Sequence, residues 1–562
     1  MSKIVDVALS DIRNAVLEAA GKAVADGKFP QEELPVFTIE VPADRTHGDY
    51  AVNAAMVWAR ALHNAPRKIA ETLGEYFDFS GTYIDRFEIA GPGFINIFLS
   101  ARYYSDILKD VEAQGENYGR STYGGGKKVL VEFVSANPTG PMHIGNARGG
   151  ALGDCLASVL DYAGYEVARE FYVNDSGNQI EKFKTSLEVR YLQQLGQQIE
   201  MPEDAYFGDD IVAHAKNFIE KFGDSYANVE SEERRQALCD FALPVNIEKL
   251  HTDLAKYRIN YDRWFKESEL HNDGSVERII EKLIESGHTY ELEGALWFRS
   301  TDFGEDKDRV LVRANGVPTY FVPDIAYHYN KLEERKFDIA IDILGADHHG
   351  YVPRMKAALQ ALGVDPERLN VVIMQMVRLI KNGETYKLSK RSGKAVTLET
   401  LLDEVPIDAA RLFFNLREPN SHLEFDLDLA VEQSSQNPVY YVQYAHARIC
   451  SIIKNLAAES VEFRSVSADD LDCLTEPAER DIIRQLSSLE DEIVSAAKQY
   501  DPSKITRFVI ELATQFHRYY NSCRVKCDDE KLMYARLFLC VQVRSVIRNV
   551  LRMLNIDAPD VM

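Results

Sequence analysis

VLVEFVSANPTGPMHIGNARGG, residues 129–150, decides how the chain is read. Val129 to Val134 are β-branched and apolar apart from Glu132, the pattern of a buried parallel strand. Asn137, Pro138, Gly140 and Pro141 end that strand and cannot propagate a helix. The spacing then predicts a helix from about His143 to Gly164, with Ala147, Leu152, Cys155, Leu156 and Val159 on its packed side. A strand, a tight loop and a helix N-terminus offer unpaired N–H groups and a positive dipole end to a phosphate. Gly145 admits a nucleotide close to the backbone, and His143 and Asn146 can each donate a hydrogen bond. By itself the stretch fits an ordinary α/β loop equally well. A second basic element, Tyr386-Lys387-Leu388-Ser389-Lys390-Arg391-Ser392-Gly393-Lys394, turns the pair toward a nucleoside triphosphate site.

Around this stretch the pattern divides in three. Residues 1–115 show helical periodicity over Val5–Ala25 and then alternating stretches at Phe37–Val41 and Ile84–Leu99, an α+β unit with a polar cluster at Arg45, His47, Asp49, Tyr50 and Asn53. Gly124-Gly125-Gly126 reads as a hinge. Residues 116–436 alternate strands and helices, which argues an α/β, doubly wound, Rossmann-like sheet. A charged helical insertion at about 200–260 splits it, and the sheet is expected to resume at Ala295–Phe298, Val310–Val312, Ile339–Leu344 and Val371–Leu379. Residues 437–562 are helical throughout, as an all-α bundle, with helices expected at Tyr440–Leu456, Ala478–Lys498, Pro502–Asn521 and Glu530–Leu554.

The 562 residues exceed one core, and 46% hydrophobic content without an apolar run of membrane length describes a globular chain. Seven scattered cysteines and no secretory h-region point to reduced thiols in a cytoplasm, and Cys523 and Cys527 lack the second half of a metal site. The formal charge of −24 excludes indiscriminate nucleic-acid binding, though a local basic stripe stays compatible with RNA.

PMHIGN (141–146) resembles the HIGH element of class I aminoacyl-tRNA synthetases, and YKLSKRSG (386–393) resembles their KMSK loop. VEFVSANPTGP, REFYVNDSGNQI, YFVPDIAYH, GADHHGY and DAARLFF narrow the resemblance to the arginyl-tRNA synthetase family over nearly the whole chain. That resemblance implies ATP-dependent activation of arginine, with Mg²⁺ accompanying ATP, and transfer to the terminal ribose of tRNA by a monomer. It implies that His143, Asn146, Lys387 and Lys390 act in catalysis, and that Gly140, Gly145 and Ser389 join them around ATP. It places Asp324, Tyr320 and Glu267 at the guanidinium, and Ser135, Asn137 and His348 at the α-amino end, with Glu132 nearby. Glu132 also fits a buried salt bridge, and Asn174 or Asp175 a helix cap. The first unit would contact the tRNA elbow and the last the anticodon, with Tyr519, Tyr520 and Met562 as partners of its bases and Tyr440 and Tyr441 in the core. Asn146 departs from the family, which has a second His there, and a non-catalytic tRNA- or arginine-binding paralogue is the alternative.

Overall fold

The computed structural model describes residues 3–386 and 396–562. Five parallel strands form its central sheet: β1 (Lys128–Glu132), β2 (Glu166–Val173), β3 (Arg263–Lys266), β4 (Ile339–Gly345) and β5 (Leu369–Met374), in the spatial order β5-β4-β1-β2-β3. The order reverses between β1 and β4, so a crevice opens at their carboxyl ends, where such sheets bind ligands. Helix α1 (Ile144–Tyr162) covers β1 and approaches it closely: a Cβ on Gly153 would stand 2.2 Å from Cγ of Phe133, so only glycine fits there.

Two expected sheet strands belong elsewhere. Ala295–Phe298 and Arg309–Val312 form a separate antiparallel sheet with Thr289–Leu292, because Glu293 and Gly294, both at positive φ, close a two-residue hairpin that a parallel ladder cannot use. The stretch expected as one strand over Val371–Leu379 is two: β5, and Val377–Lys381, which pairs with Leu423–Asp426 in a third sheet. Strand β3 had been assigned to no element.

The charged insertion is helical. Asp209–Phe222 and Ser231–Lys256 enclose a small core with the helix Gly177–Gln194 through Phe183, Leu187, Tyr191, Phe218 and Leu238. Before the sheet, the helix Lys3–Ala25 packs near a four-stranded antiparallel sheet, the expected α+β arrangement. Its Asp49 is buried and pairs with Arg484 of the C-terminal helices at 2.6 Å, so part of the polar cluster is an anchor. The glycine run is a pinned turn: Gly124 and Gly126 donate their N–H groups to the carbonyls of Ala163 and Gly164.

The C-terminal helices are Pro438–Ala458, Pro477–Ser487, Leu489–Gln499, Ser503–Ser522 and Glu530–Met553, so the helix expected over Ala478–Lys498 breaks at Ser488. Tyr519 is fully buried beside Phe516, against the expectation that it meets RNA. Successive helical residues point about 100° apart, so the same turn that buries Tyr519 presents Tyr520. Tyr440 and Tyr441, expected in the core, are only partly buried. In DAARLFF, Arg411 is buried and donates to Leu554 O at 2.7 Å, Tyr257 O at 3.0 Å and Asp154, locking the bundle onto α1. All seven cysteines are free, and no helix among the described residues is long and apolar enough to cross a membrane.

Candidate active site at the sheet switch point

A cavity of about 840 Å³ occupies the crevice, lined by Glu132, Ser135, Asn137, Gly140, His143, Gly145, Asn146, Asp324 and His348 among others. These expected site residues therefore meet in one place. Val134 and Ser135 turn the chain out of β1 at φ of 70° and 40°, a left-handed conformation that costs a β-branched residue about 1–3 kcal/mol and persists where the surroundings enforce it. The strained turn sends Asn137 and Gly140 along the cavity wall and brings His143 to the start of α1. Asn146 accepts the His143 N–H through Oδ1 at 2.9 Å, closing half of a capping box and leaving its own N–H donors without a partner among the described residues.

Lys387, Ser389 and Lys390 lie outside the described residues. The chain that follows them is tied to the same helix start: Ile144 N–H donates to Val396 O at 3.2 Å, Leu398 N–H donates to Met142 O at 2.9 Å, and His143 bridges Thr397.

The floor carries a row of acids. Asp342, Glu132 and Glu170 are register partners on β4, β1 and β2, so their side chains share one face. Three neighbouring buried carboxylates would repel, and two cations from one short π-helical stretch (Asn330–Glu334) and its end neutralise them. Lys331, fully buried, donates to Glu132 at 2.5 Å and Asp342 at 2.8 Å, and Arg335 grips Glu170 with two bonds of 2.8 and 2.5 Å. His328 Nε2 adds a 2.7 Å contact to Asp342. Burial alone would raise the Asp342 pKa, but Lys331 and His328 hold it well below the usual range; for Glu132 burial wins and the pKa is raised. The second Glu132 oxygen accepts the Ser135 hydroxyl at 2.9 Å, and Ser135 in turn accepts the Tyr172 N–H at 3.1 Å. The salt-bridge reading of Glu132 thus matches its contacts.

Asp324 is different. It projects from the helix Phe321–Tyr329 into the cavity with no hydrogen-bond or ion-pair partner for its carboxylate among the described residues. Burial is the main cause lifting its pKa to about 7, with Glu267 and Glu132 pushing the same way against His328. Glu267 and Tyr320 do not line the cavity itself. They meet beside it over Gly177, where an added Cβ would stand 3.3 Å from the Tyr320 ring and 4.0 Å from Glu267 Oε1. Burial raises Glu267 as well. Its position is fixed by Asp175, which accepts the Ser268 N–H at 2.8 Å and the Ser268 hydroxyl at 2.7 Å at the start of the helix Glu267–Asn272; the helix that follows Asp175, Gly177–Gln194, starts from Ser176 without a side-chain cap, against the expectation for Asn174 or Asp175.

Several residues here escaped the sequence reading. His328, Lys331 and Arg335 follow Asp324 at helical spacing, and that periodicity of ionisable groups was the available signal. Tyr206, Gly208 and Asp210 of the insertion also line the cavity, and Asn246 ties the insertion to the loop by donating to Pro138 O at 2.9 Å. Nothing in their spacing announced them.

Comparison with known proteins identifies these parts. Residues 10–99 match the arginyl tRNA synthetase N-terminal domain, 108–453 the catalytic domain of class I (R) tRNA synthetases, and 442–562 the DALR anticodon binding domain. The parallel sheet with its site at the switch point is therefore a class I tRNA synthetase catalytic fold. Arginine–tRNA ligases of Caldanaerobacter subterraneus and Acetivibrio thermocellus are 53% and 50% identical to the chain, each over the full length of both proteins. Arginyl-tRNA synthetase of Thermus thermophilus, 22% identical, shares the fold with a TM-score of 0.71 over 98% of this chain and all of that one. The chain belongs to the arginyl-tRNA synthetase family.

Proposed function

We infer that the chain is an ATP-dependent arginine–tRNA ligase, and that arginine lies with its guanidinium toward Asp324, Glu267 and Tyr320 and its carboxylate toward α1. The observation that supports this most is the unpaired Asp324 carboxylate at one end of a cavity whose other end is a helix N-terminus: one end suits a cation, the other a phosphate. The arginine carboxylate is ionised at neutral pH, so it attacks the α-phosphate of ATP without a general base; the new C–O–P bond forms as the bond to pyrophosphate breaks. Gly140, Gly145, His143, Asn146 and the α1 N–H groups hold the nucleotide, and Lys387, Ser389 and Lys390 would close on the leaving pyrophosphate. Ser135, Asn137 and His348 would receive the α-amino end.

Mg²⁺ would arrive with ATP and neutralise its phosphates. Asp210 fits such an ion as a hard oxygen donor, its Oδ2 lying 3.7 Å from where a Cβ on Gly140 would stand. In the second step the 2′-hydroxyl of the terminal ribose takes the arginyl group and AMP departs. Residues 1–115 would meet the tRNA elbow, and 437–562 the anticodon through Tyr520, beneath which Arg448 lies 4.4 Å from the ring centre, and the exposed Met562. A monomer in a reducing cytoplasm fits the free cysteines.

Charging of purified tRNA with each of twenty amino acids tests the reading: arginine alone should be attached, and attachment of another amino acid, or of none, overturns it. Arginine-dependent pyrophosphate exchange with and without tRNA tests whether the first step requires bound tRNA, as the family suggests.

A further inference from the structure

Transfer to tRNA requires the terminal ribose to enter the cavity, so the bases just behind it must pass over the rim. The insertion supplies part of that rim through Tyr206 and Gly208. Phe207, between them, is 56% exposed. A single exposed aromatic is ordinary on a protein surface; both chain neighbours of this one line the reaction cavity, and the stretch that carries it is held fast. The Tyr206 hydroxyl donates to Gln179 Oε1 at 2.5 Å, the Tyr206 N–H donates to Ser186 Oγ at 2.9 Å, and Asp204 pairs with Lys182 at 3.0 Å. Helix Asp209–Phe222 begins two residues beyond. The exposed ring therefore stands on a fixed support, between two residues that line the cavity.

The charge around it selects what can bind. Glu203, Asp204 and Asp210 lie within four residues of Phe207 and no Lys or Arg does, so the stretch offers a phosphate backbone no cation of its own. An uncharged base face is the part of a nucleotide it can accept, and single-stranded ends are held by stacking on aromatic rings.

We propose that Phe207 is a stacking platform for one of the last bases of the single-stranded 3′ end of tRNA, positioning the terminal ribose over the arginyl-adenylate. The proposal rests on the ligase reading and adds a residue that neither its motifs nor its spacing carried. Phe207→Ala and Phe207→Trp, both at an exposed position, should fold like the wild type. Equilibrium binding is measured for full-length tRNA and for the same tRNA shortened by its two 3′-terminal nucleotides, over a series of salt concentrations. Phe207→Ala should weaken full-length tRNA by roughly tenfold without changing the slope of log Kd against log salt, because no phosphate contact is lost. It should leave the shortened tRNA unaffected, and Phe207→Trp should bind both as the wild type does. Equal weakening of both RNAs, a changed salt slope, or no weakening overturns the platform. Wild-type charging in the same preparation separates the two claims: if the wild type charges arginine while Phe207→Ala is indistinguishable from it, only the platform falls, whereas a wild type that charges nothing removes the ligase reading beneath it.

Discussion

The floor of the cavity and the end proposed for arginine are built from the same residue types and differ in their countercharge. On the floor, Glu132 and Asp342 share the buried Lys331, and Glu170 is clasped by Arg335. At the end proposed for arginine, burial raises the pKa of both Asp324 and Glu267; among the described residues Asp324 has no ion-pair partner, and Glu267 has His271 at 3.7 Å. A carboxylate whose countercharge is internal shapes the site. One whose countercharge is missing waits for it, and arginine brings a planar guanidinium that can bond two acids at once. Lysine or citrulline would leave one of these acceptors unpaired, which is how such a site discriminates.

The sharpest way to break the contrast is to remove the internal cation. Lys331→Met should leave Glu132 with the Ser135 hydroxyl alone and Asp342 with His328 alone, and destabilise the fold by about 3–5 kcal/mol, read as a shift in the urea midpoint. Asp342, held below its ordinary 3.8, contributes stability that is fully present above that value and is lost as pH falls below it toward the lowered folded-state pKa, so the variant's deficit should shrink at acid pH. A midpoint equal to wild type would mean that the floor pairs are not structural.

Asp324→Asn should do the reverse: weaken function and strengthen the fold. Loss of the guanidinium's buried partner should cost about 3 kcal/mol in kcat/KM for arginine, more than a hundredfold. Because the folded-state pKa is raised from 3.8 to about 7, ionising Asp324 opposes folding; that penalty is absent below the unfolded value and grows as pH rises toward 7. The empty variant should therefore melt higher than wild type at pH 8 and alike at pH 4. Unchanged arginine kinetics would remove Asp324 from the substrate site.

A smaller effect tests the same carboxylate without mutation. In the proposed binding mode arginine takes Asp324 ionised, so KM for arginine should rise by about tenfold per unit as pH falls below about 7 and level off above it, while Asp324→Asn shows no such dependence. A wild-type KM flat from pH 5.5 to 8 would assign the recognition elsewhere.

How far the sequence carried depended on whether a role was local. The strand, loop and helix of 129–164 were legible because their signals, β-branching, proline and glycine breaks and apolar periodicity, act over neighbouring residues. Asp324 and Glu267 were named from the family resemblance, but that Asp324 has no partner among the described residues depends on what the fold puts around it. Lys331 is aimed inward by the π-turn, which no local signal marks, and Asp342 lies in an otherwise apolar strand. The misplacement of Ala295–Phe298 has the same origin: strand character is local, while membership of a sheet is decided by the hairpin at Glu293-Gly294 and by the partner across it. Tyr519 and Tyr520 are adjacent in sequence, and only the helix phase separates the buried ring from the exposed one.

The smallest expected effect concerns Asn146, where the chain departs from its family, and it sharpens the contrast from the nucleotide end. Its Oδ1 accepts the His143 N–H, so the residue stabilises the very turn on which the phosphates would lie, while its Nδ2 remains available to ATP. A neutral imidazole can accept through one nitrogen and donate through the other, so Asn146→His should keep both roles and leave adenylation near wild type. Asn146→Ala loses both: about 1 kcal/mol of helix capping, and one donor to the nucleotide. The adenylation rate, followed by arginine-dependent pyrophosphate exchange, should fall by roughly five- to tenfold with KM for arginine unchanged, because the damage lies at the far end of the cavity from Asp324. An alanine variant that exchanges pyrophosphate as fast as wild type would leave the cap as the residue's whole contribution and the helix N–H groups as the sole grip on that side.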